Sequence, residues 1–281
     1  MSLKDIFCQD RAISILQRAF AANKLAHAYI FAGPEGVGKF KTAREWAKML
    51  LCENKIVNRE SWVVNPPLGV LALPQVRRTT NHEPRTTNHE PRTTNHEPRT
   101  TNHESRTTNH EPRITNHESR TTNFADSCGS CQSCRLLEAG SHPDFNPVYK
   151  ELRQFTKDGK EKKTPLDLPV DVIREFLIAK VPNRPTLSER KVFVVSEAEK
   201  LNASSQNCLW KVLEEAPEYC SIILLCTRLE KLWPTTKSRC QTIRFSTLDE
   251  ERIIEKLKEM GIEETPAHYF ARLAQGSLGR A

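Results

Sequence analysis

Residues 27–52 read HAYIFAGPEGVGKFKTAREWAKMLLC. The run Ala28–Ala32 is apolar, favours extended backbone and stops at Gly33, which predicts a short buried β-strand. From Lys41 to Cys52 the apolar residues Ala43, Trp46, Ala47, Leu50 and Leu51 recur at helical spacing. Strand, loop and helix in that order open a parallel α/β unit. The loop between them, Gly33-Pro34-Glu35-Gly36-Val37-Gly38-Lys39, has the form G-x-x-x-x-G-K. Backbone N–H groups of such a loop cradle phosphates, helped by the positive end of the next helix, and the lysine reaches the outer phosphates. Gly33, Gly36, Gly38 and Lys39 are therefore candidate nucleotide-binding residues.

Two positions depart from a hydrolytic site of this kind. The residue after the lysine should carry a hydroxyl for Mg²⁺, but it is Phe40, and a phenyl ring cannot coordinate a metal. Thr42, two residues on, faces another side of the helix. Downstream, the apolar strand Lys191–Val195 should lead into an Asp that holds Mg²⁺ and a Glu that polarises the attacking water. Ser196 replaces the Asp, whereas Glu197 retains the Glu. Losing both magnesium ligands predicts weak or absent ATP turnover and leaves nucleotide binding itself open.

Further signals extend the α/β pattern on both sides. Ile13, Leu16, Ala19 and Phe20 predict a helix over Arg11–Lys24. DVIREFLIA at 171–179 and ASSQNCLWKVLEE at 203–215 predict helices, while SIILLC at 221–226 and QTIRF at 241–245 predict strands. Alternation of this sort argues for a parallel sheet flanked by helices. After Thr247, LDEERIIEKLKEMGI and one more short helix form a small all-α unit. The expected organisation is a phosphate-loop domain over 1–52 and 124–247, with a helical lid over 248–281.

Between 53 and 123 the pattern vanishes. Pro66, Pro67 and Pro74 interrupt an apolar stretch, and residues 78–119 are six tandem copies of RTTNHEP or a near variant, followed by a broken copy. No repeat position is apolar and most copies contain Pro, which excludes a coiled coil. The segment reads as a disordered insertion. It holds six of the nine histidines, whose metal binding would be adventitious.

Composition narrows the classes further. With 281 residues, 37% hydrophobic and 27% charged, the chain can bury a core, and its length suggests about two domains. No apolar run approaches a membrane span and the N-terminus MSLKDIFCQDRA lacks a secretory h-region, so a cytoplasmic protein with no membrane partner is expected. Nine cysteines in such a chain are reduced thiols or metal ligands. The net charge of +7 suits an anionic partner without requiring one. Cys128, Cys131 and Cys134 form C-x₂-C-x₂-C, and Cys52 ends the phosphate-loop helix. Four thiolates make a closed, structural Zn²⁺ site, with free thiols as the alternative. A ferredoxin pattern would want a further Cys at 138, which is Glu. His142, in SHPDF, reads as a turn residue, with a substitute metal ligand as the alternative. Arg239, in Ser238-Arg239-Cys240, reads by itself as a surface ion pair.

Four segments in order, AHAYIFAGPEGVGK, CGSCQSCRLLEAGSHPDF, LNASSQNCLWKVLEEAP and TTKSRC, carry a resemblance. Over about 1–52 and 124–281 the chain resembles the delta-prime subunits of the bacterial DNA polymerase III clamp loader, an AAA+ family close to gamma/tau. The resemblance implies an AAA+ fold and a place in a five-subunit loader that sets the sliding clamp on primed DNA, with gamma/tau and delta subunits as partners. It implies that Arg239 acts as an arginine finger on ATP held by the neighbouring motor subunit. Such fingers contribute about 10³–10⁵ in rate. It makes Cys52, Cys128, Cys131 and Cys134 zinc ligands, and it places Arg280, with Gly276 and Ser277, where lids carry a nucleotide-sensing arginine. Phe40 and Ser196 match the non-hydrolysing stator better than the motor. The family's helical collar is expected to be missing after Ala281. The alternative is an active ATPase using Lys39 and Glu197. A zinc-stabilised DNA-binding module would need clustered basic and aromatic residues, and those here are scattered. No paired metal-binding carboxylates suggest a polymerase site.

Overall fold

The computed structural model describes residues 2–57, 125–157 and 166–281. The insertion expected over 53–123 lies, from residue 58 onward, outside them. In chain order the elements are α1 (Asp10–Ala21), β1 (Ala28–Ala32), α2 (Lys39–Leu51), β2 (Ile56–Val57), β3 (Ala125–Asp126), α3 (Gln132–Glu138) and β4 (Phe145–Val148). They continue with α4 (Val170–Ile173), β5 (Lys191–Val195), α5 (Ala203–Glu214), β6 (Cys220–Cys226), α6 (Pro234–Ser238), β7 (Gln241–Arg244), α7 (Glu250–Glu259) and α8 (Glu264–Ala274). A wider π-type turn, Arg174–Ile178, extends α4.

Five strands pair in the order β4-β5-β6-β1-β7, every pairing parallel. The apolar runs of β1, β5 and β6 are buried on both faces, as a sheet covered by helices on each side requires. Alternate residues serve opposite faces. Tyr29, Phe31, Val192, Val194, Ile223 and Leu225 join the core beneath α1 and α2. Ile30, Phe193, Val195, Ile222 and Leu224 join the core beneath α4 and α5. On the first face Trp46 is fully buried and meets Phe20 and Tyr29 edge-to-face, with ring centroids 6.2 and 6.1 Å away. This is the parallel sheet flanked by helices that the alternation of strands and helices predicts. Helices α7 and α8 follow, with their own core of Leu248, Ile253, Ile254, Leu257, Ala267 and Ala271. Among the described residues no helix is long and apolar enough to cross a membrane.

One strand of the five-stranded sheet was not visible in the sequence. Phe145–Val148 reads FNPV, and a proline argues against a strand because it cannot donate to a ladder. Yet β4 lies at the sheet edge, where a strand needs partners on one side only. A second feature closes the insertion. Ile56 pairs with Asp126 and Val57 with Ala125 in an antiparallel ladder, which brings the two ends of the long segment together.

Removing the Trp46 side chain would empty the centre of the first core face. Trp46→Ala is expected to lower the unfolding free energy by about 3–5 kcal/mol, read as a shifted midpoint in urea denaturation.

Candidate functional site

The phosphate loop leaves the C-terminal end of β1 and enters α2. Gly36 and Gly38 hold left-handed conformations, φ 74° and 95°, which glycine adopts without a Cβ penalty. The Lys39 ammonium donates to the carbonyl of Gly33 at 2.7 Å and also to that of Pro34. Burial lowers its pKa, opposed by Glu199, Cys226 and Glu35. Thr42 Oγ1 donates to the Gly38 carbonyl at 3.0 Å, so that hydroxyl serves the helix. Phe40, at the position of the metal-binding hydroxyl, is 46% exposed.

The cleft beyond the loop is lined by Gly36, Gly38, Lys39, Phe40, Ser196, Glu197, Thr227 and Arg228 among others. Glu197 follows Ser196 with φ 52°, a left-handed conformation uncommon for a residue with a side chain. Its carboxylate pairs with Lys150 at 3.1 Å and with Lys200. Burial raises its pKa, but the bonds from Lys200 and Lys150 outweigh this and leave it lowered. Glu197 is thus held as a carboxylate between two ammonium groups. Thr227, directly after β6, donates through Oγ1 to Glu199 at 2.5 Å and through its N–H at 3.2 Å. Lys150, Lys200, Glu199 and Thr227 were missed in the sequence. Only Thr227 had a signal, as the first polar residue past an apolar strand.

The lid reaches this loop directly. Gly279 N–H donates to the Gly36 carbonyl at 3.1 Å, and Arg280 pairs with Glu35 at 2.9 Å.

The four expected cysteine ligands come together. Their Sγ atoms all lie within 4.8 Å of one another, with Cys52–Cys128 at 3.5 Å, Cys52–Cys131 at 3.8 Å and Cys128–Cys134 at 4.0 Å. A tetrahedron of thiolates about 2.3 Å from a Zn²⁺ ion has edges of about 3.8 Å, so the donor set and spacing fit. Backbone N–H groups of Cys128, Cys131 and Cys134 donate to Sγ of Cys52, Cys128 and Cys131 at 3.3–3.4 Å. Such donors orient thiolate ligands. The Cys52 thiol is pushed down to about 5, chiefly by the bond from Cys134, and the same bond pushes Cys134 up. Glu53 Oε1 accepts from Ser133 N and Oγ, both at 3.1 Å, and α3 is tied to α2 by Lys48–Glu138 and by Arg44, which donates to the carbonyls of Leu137 and Glu138. His142 is not among the clustered groups. It accepts from Asp144 N at Nδ1 and meets Ser188 Oγ through Nε2.

Arg239 lies elsewhere. It closes α6 and donates to Glu214 at 3.1 Å and to the Thr235 carbonyl at 3.2 Å, with its guanidinium 5.2 Å from the Trp210 ring centre. Gln241 pairs with Tyr29 and Arg244 with Ala32, so β7 starts beside the N-terminal part of β1. The phosphate loop leaves the other end. At about 3.3 Å per residue, a five-residue strand separates the two ends by roughly 13 Å.

The sequence pattern of the family described as DNA polymerase III, delta subunit, matches residues 8–62 and 103–249. The chain belongs to that family. The matched ranges contain the phosphate loop, the four cysteines and Arg239, while Arg280 lies beyond them. The DNA polymerase III subunit tau/gamma of Haemophilus influenzae is 25% identical over 98% of this chain and 29% of its own length. The DNA polymerase III subunit delta′ of Pseudomonas aeruginosa is 26% identical over 76% of this chain and 42% of its own length. The chain thus spans less than half the length of these relatives. The solved RuvB Holliday junction branch migration motor of Thermotoga maritima is 10% identical, covering 99% of this chain and 60% of its own, with a TM-score of 0.44. As a member of that family, the chain has relatives of both the delta′ and tau/gamma kinds.

Burial keeps the His142 imidazole below its ordinary 6.5, against the opposing pull of Asp144 and Glu53. The unfolded chain therefore takes up a proton near pH 6.5 that the folded chain resists, and stability falls as pH drops below that value. His142→Asn removes this contribution. Its stability deficit, measured by urea denaturation, is expected to shrink between pH 8 and pH 5; a constant deficit would contradict the buried neutral form.

Proposed function

We propose that the chain is a clamp-loader stator of the delta-prime type, which joins gamma/tau and delta subunits in loading the sliding clamp on primed DNA. Its contribution is Arg239, presented to ATP bound by the neighbouring motor subunit. The observation that carries this reading is the position of Arg239. It sits at the opposite end of the parallel sheet from the chain's own phosphate loop, where it can serve only a nucleotide held by another molecule. Glu214 and Trp210 hold the guanidinium in place while leaving its side chain 26% exposed. An aromatic face and one carboxylate orient an arginine without using all five of its donors.

The chain's own loop fits a non-hydrolysing role. Phe40 lacks the hydroxyl and Ser196 the carboxylate that would hold magnesium, and Glu197 is engaged by Lys150 and Lys200. Gly33, Gly36, Gly38 and Lys39 retain the shape of a nucleotide cradle, which is what the alternative reading, an active ATPase, rests on. In the test, loader assembled with Arg239→Ala loses roughly 10³-fold or more in single-turnover hydrolysis at the neighbouring site. Arg239→Lys does not restore it, because one ammonium cannot reproduce the planar fork. Unchanged hydrolysis in a co-purifying complex would remove Arg239 from the mechanism.

The metal assigned to Cys52, Cys128, Cys131 and Cys134 is a structural Zn²⁺, since four thiolates leave no open position for chemistry. It fastens α3 to the end of α2 and anchors the exit and return of the insertion. Purified chain is expected to release one Zn²⁺ per molecule when its thiols are blocked with a mercurial. Cys134→Ser, at a fully buried ligand, is expected to bind at least tenfold more weakly and to lower the melting temperature, whereas Cys208→Ser leaves the metal content unchanged.

A further inference from the structure

The turn that ends the lid is fitted against the phosphate loop more closely than a cover needs to be. A Cβ on Gly279 would lie 2.9 Å from the Gly36 Cα, and a Cβ on Gly36 would lie 2.0 Å from Ser277 Oγ. Gly279 has no left-handed backbone, so space alone calls for glycine there. The contact is fastened at two points, and the turn itself is pinned at its base. Gly279 N–H bonds the Gly36 carbonyl at 3.1 Å, Arg280 pairs with Glu35 at 2.9 Å, and the Gly276 carbonyl accepts from Leu248 N–H at 2.8 Å at the base of the lid. From within, the Lys39 ammonium is bonded to the Gly33 and Pro34 carbonyls. The closed arrangement also has a cost. Ser277 is 3% exposed and its hydroxyl is buried without a hydrogen-bond partner, which opposes closure and is relieved when water enters.

We propose that Ser277–Arg280 is a latch which holds the phosphate loop shut, so that a nucleotide phosphate enters Gly33–Lys39 only after the lid turn lifts. Arg280 then belongs to the latch and competes with nucleotide through Glu35, the reverse of a residue that binds the ligand. The inference is separate from the role of Arg239, which lies at the other end of the sheet; its failure would leave that role untouched.

The test titrates full-length, metal-loaded chain with a fluorescent ATP analogue, in EDTA and in Mg²⁺, and follows hydrogen exchange of the amides at 36–40. Gly279→Ala places a methyl against Gly36 and is expected to tighten binding by about tenfold and to speed exchange of those amides. Arg280→Ala removes an exposed ion pair and is expected to tighten binding by about two- to fivefold. Far-UV circular dichroism and metal content check folding; if Gly279→Ala does not fold, the sign of the Arg280→Ala effect decides. Weaker binding by Arg280→Ala would make it a nucleotide ligand and overturn the latch. So would unchanged affinity and exchange in folded Gly279→Ala, or no binding by any variant.

Discussion

The parallel register of β1 between β6 and β7 is the constraint on which the rest depends. All five residues of β1 are buried, and its neighbours pair with it residue for residue. Because the three strands run the same way, the C-terminal end of β1 delivers the phosphate loop while the N-terminal end of β7 carries Arg239. The loop and Arg239 therefore lie at opposite ends of the sheet within one molecule. A loop of the right shape faces one end of the sheet and an oriented arginine faces the other. Parallel sheets enforce this separation, since every crossover carries the chain back to the same end of the sheet before the next strand begins.

The long insertion is compatible with that frame because its ends are fixed locally. The β2–β3 ladder and the cysteine cluster hold the exit and the return of the segment side by side. The cluster is in turn fastened to α2, the helix that begins at the phosphate loop, so the cysteine cluster and the loop share one element.

The strands β1, β5 and β6 were legible because strands buried on both faces are nearly continuous apolar runs. The clustering of the four cysteines was legible because C-x₂-C-x₂-C with a further Cys has the spacing of a four-thiolate site. β4 was hidden by Pro147, whose tolerance depends on lying at an edge that only the assembled sheet defines. The partners of Glu197 were hidden for a similar reason. Lys150 is 47 residues away in sequence and reaches it only because β4 and β5 are neighbours. The Gly36–Gly279 contact and the Glu35–Arg280 pair join positions more than 240 residues apart, and no local pattern announces them.

The central claim is that this chain gives an arginine to a neighbour's nucleotide while its own loop stays closed. The most direct measurement is a structure of the chain assembled with gamma/tau and delta subunits and a non-hydrolysable ATP analogue. The account predicts the Arg239 guanidinium within hydrogen-bond reach of the neighbour's γ-phosphate, with Gly279 still seated on Gly36 and no nucleotide in the loop between them. Arg239 remaining on Glu214 and Trp210, away from any phosphate, or a nucleotide bound at Lys39 beneath a closed lid turn, would contradict it.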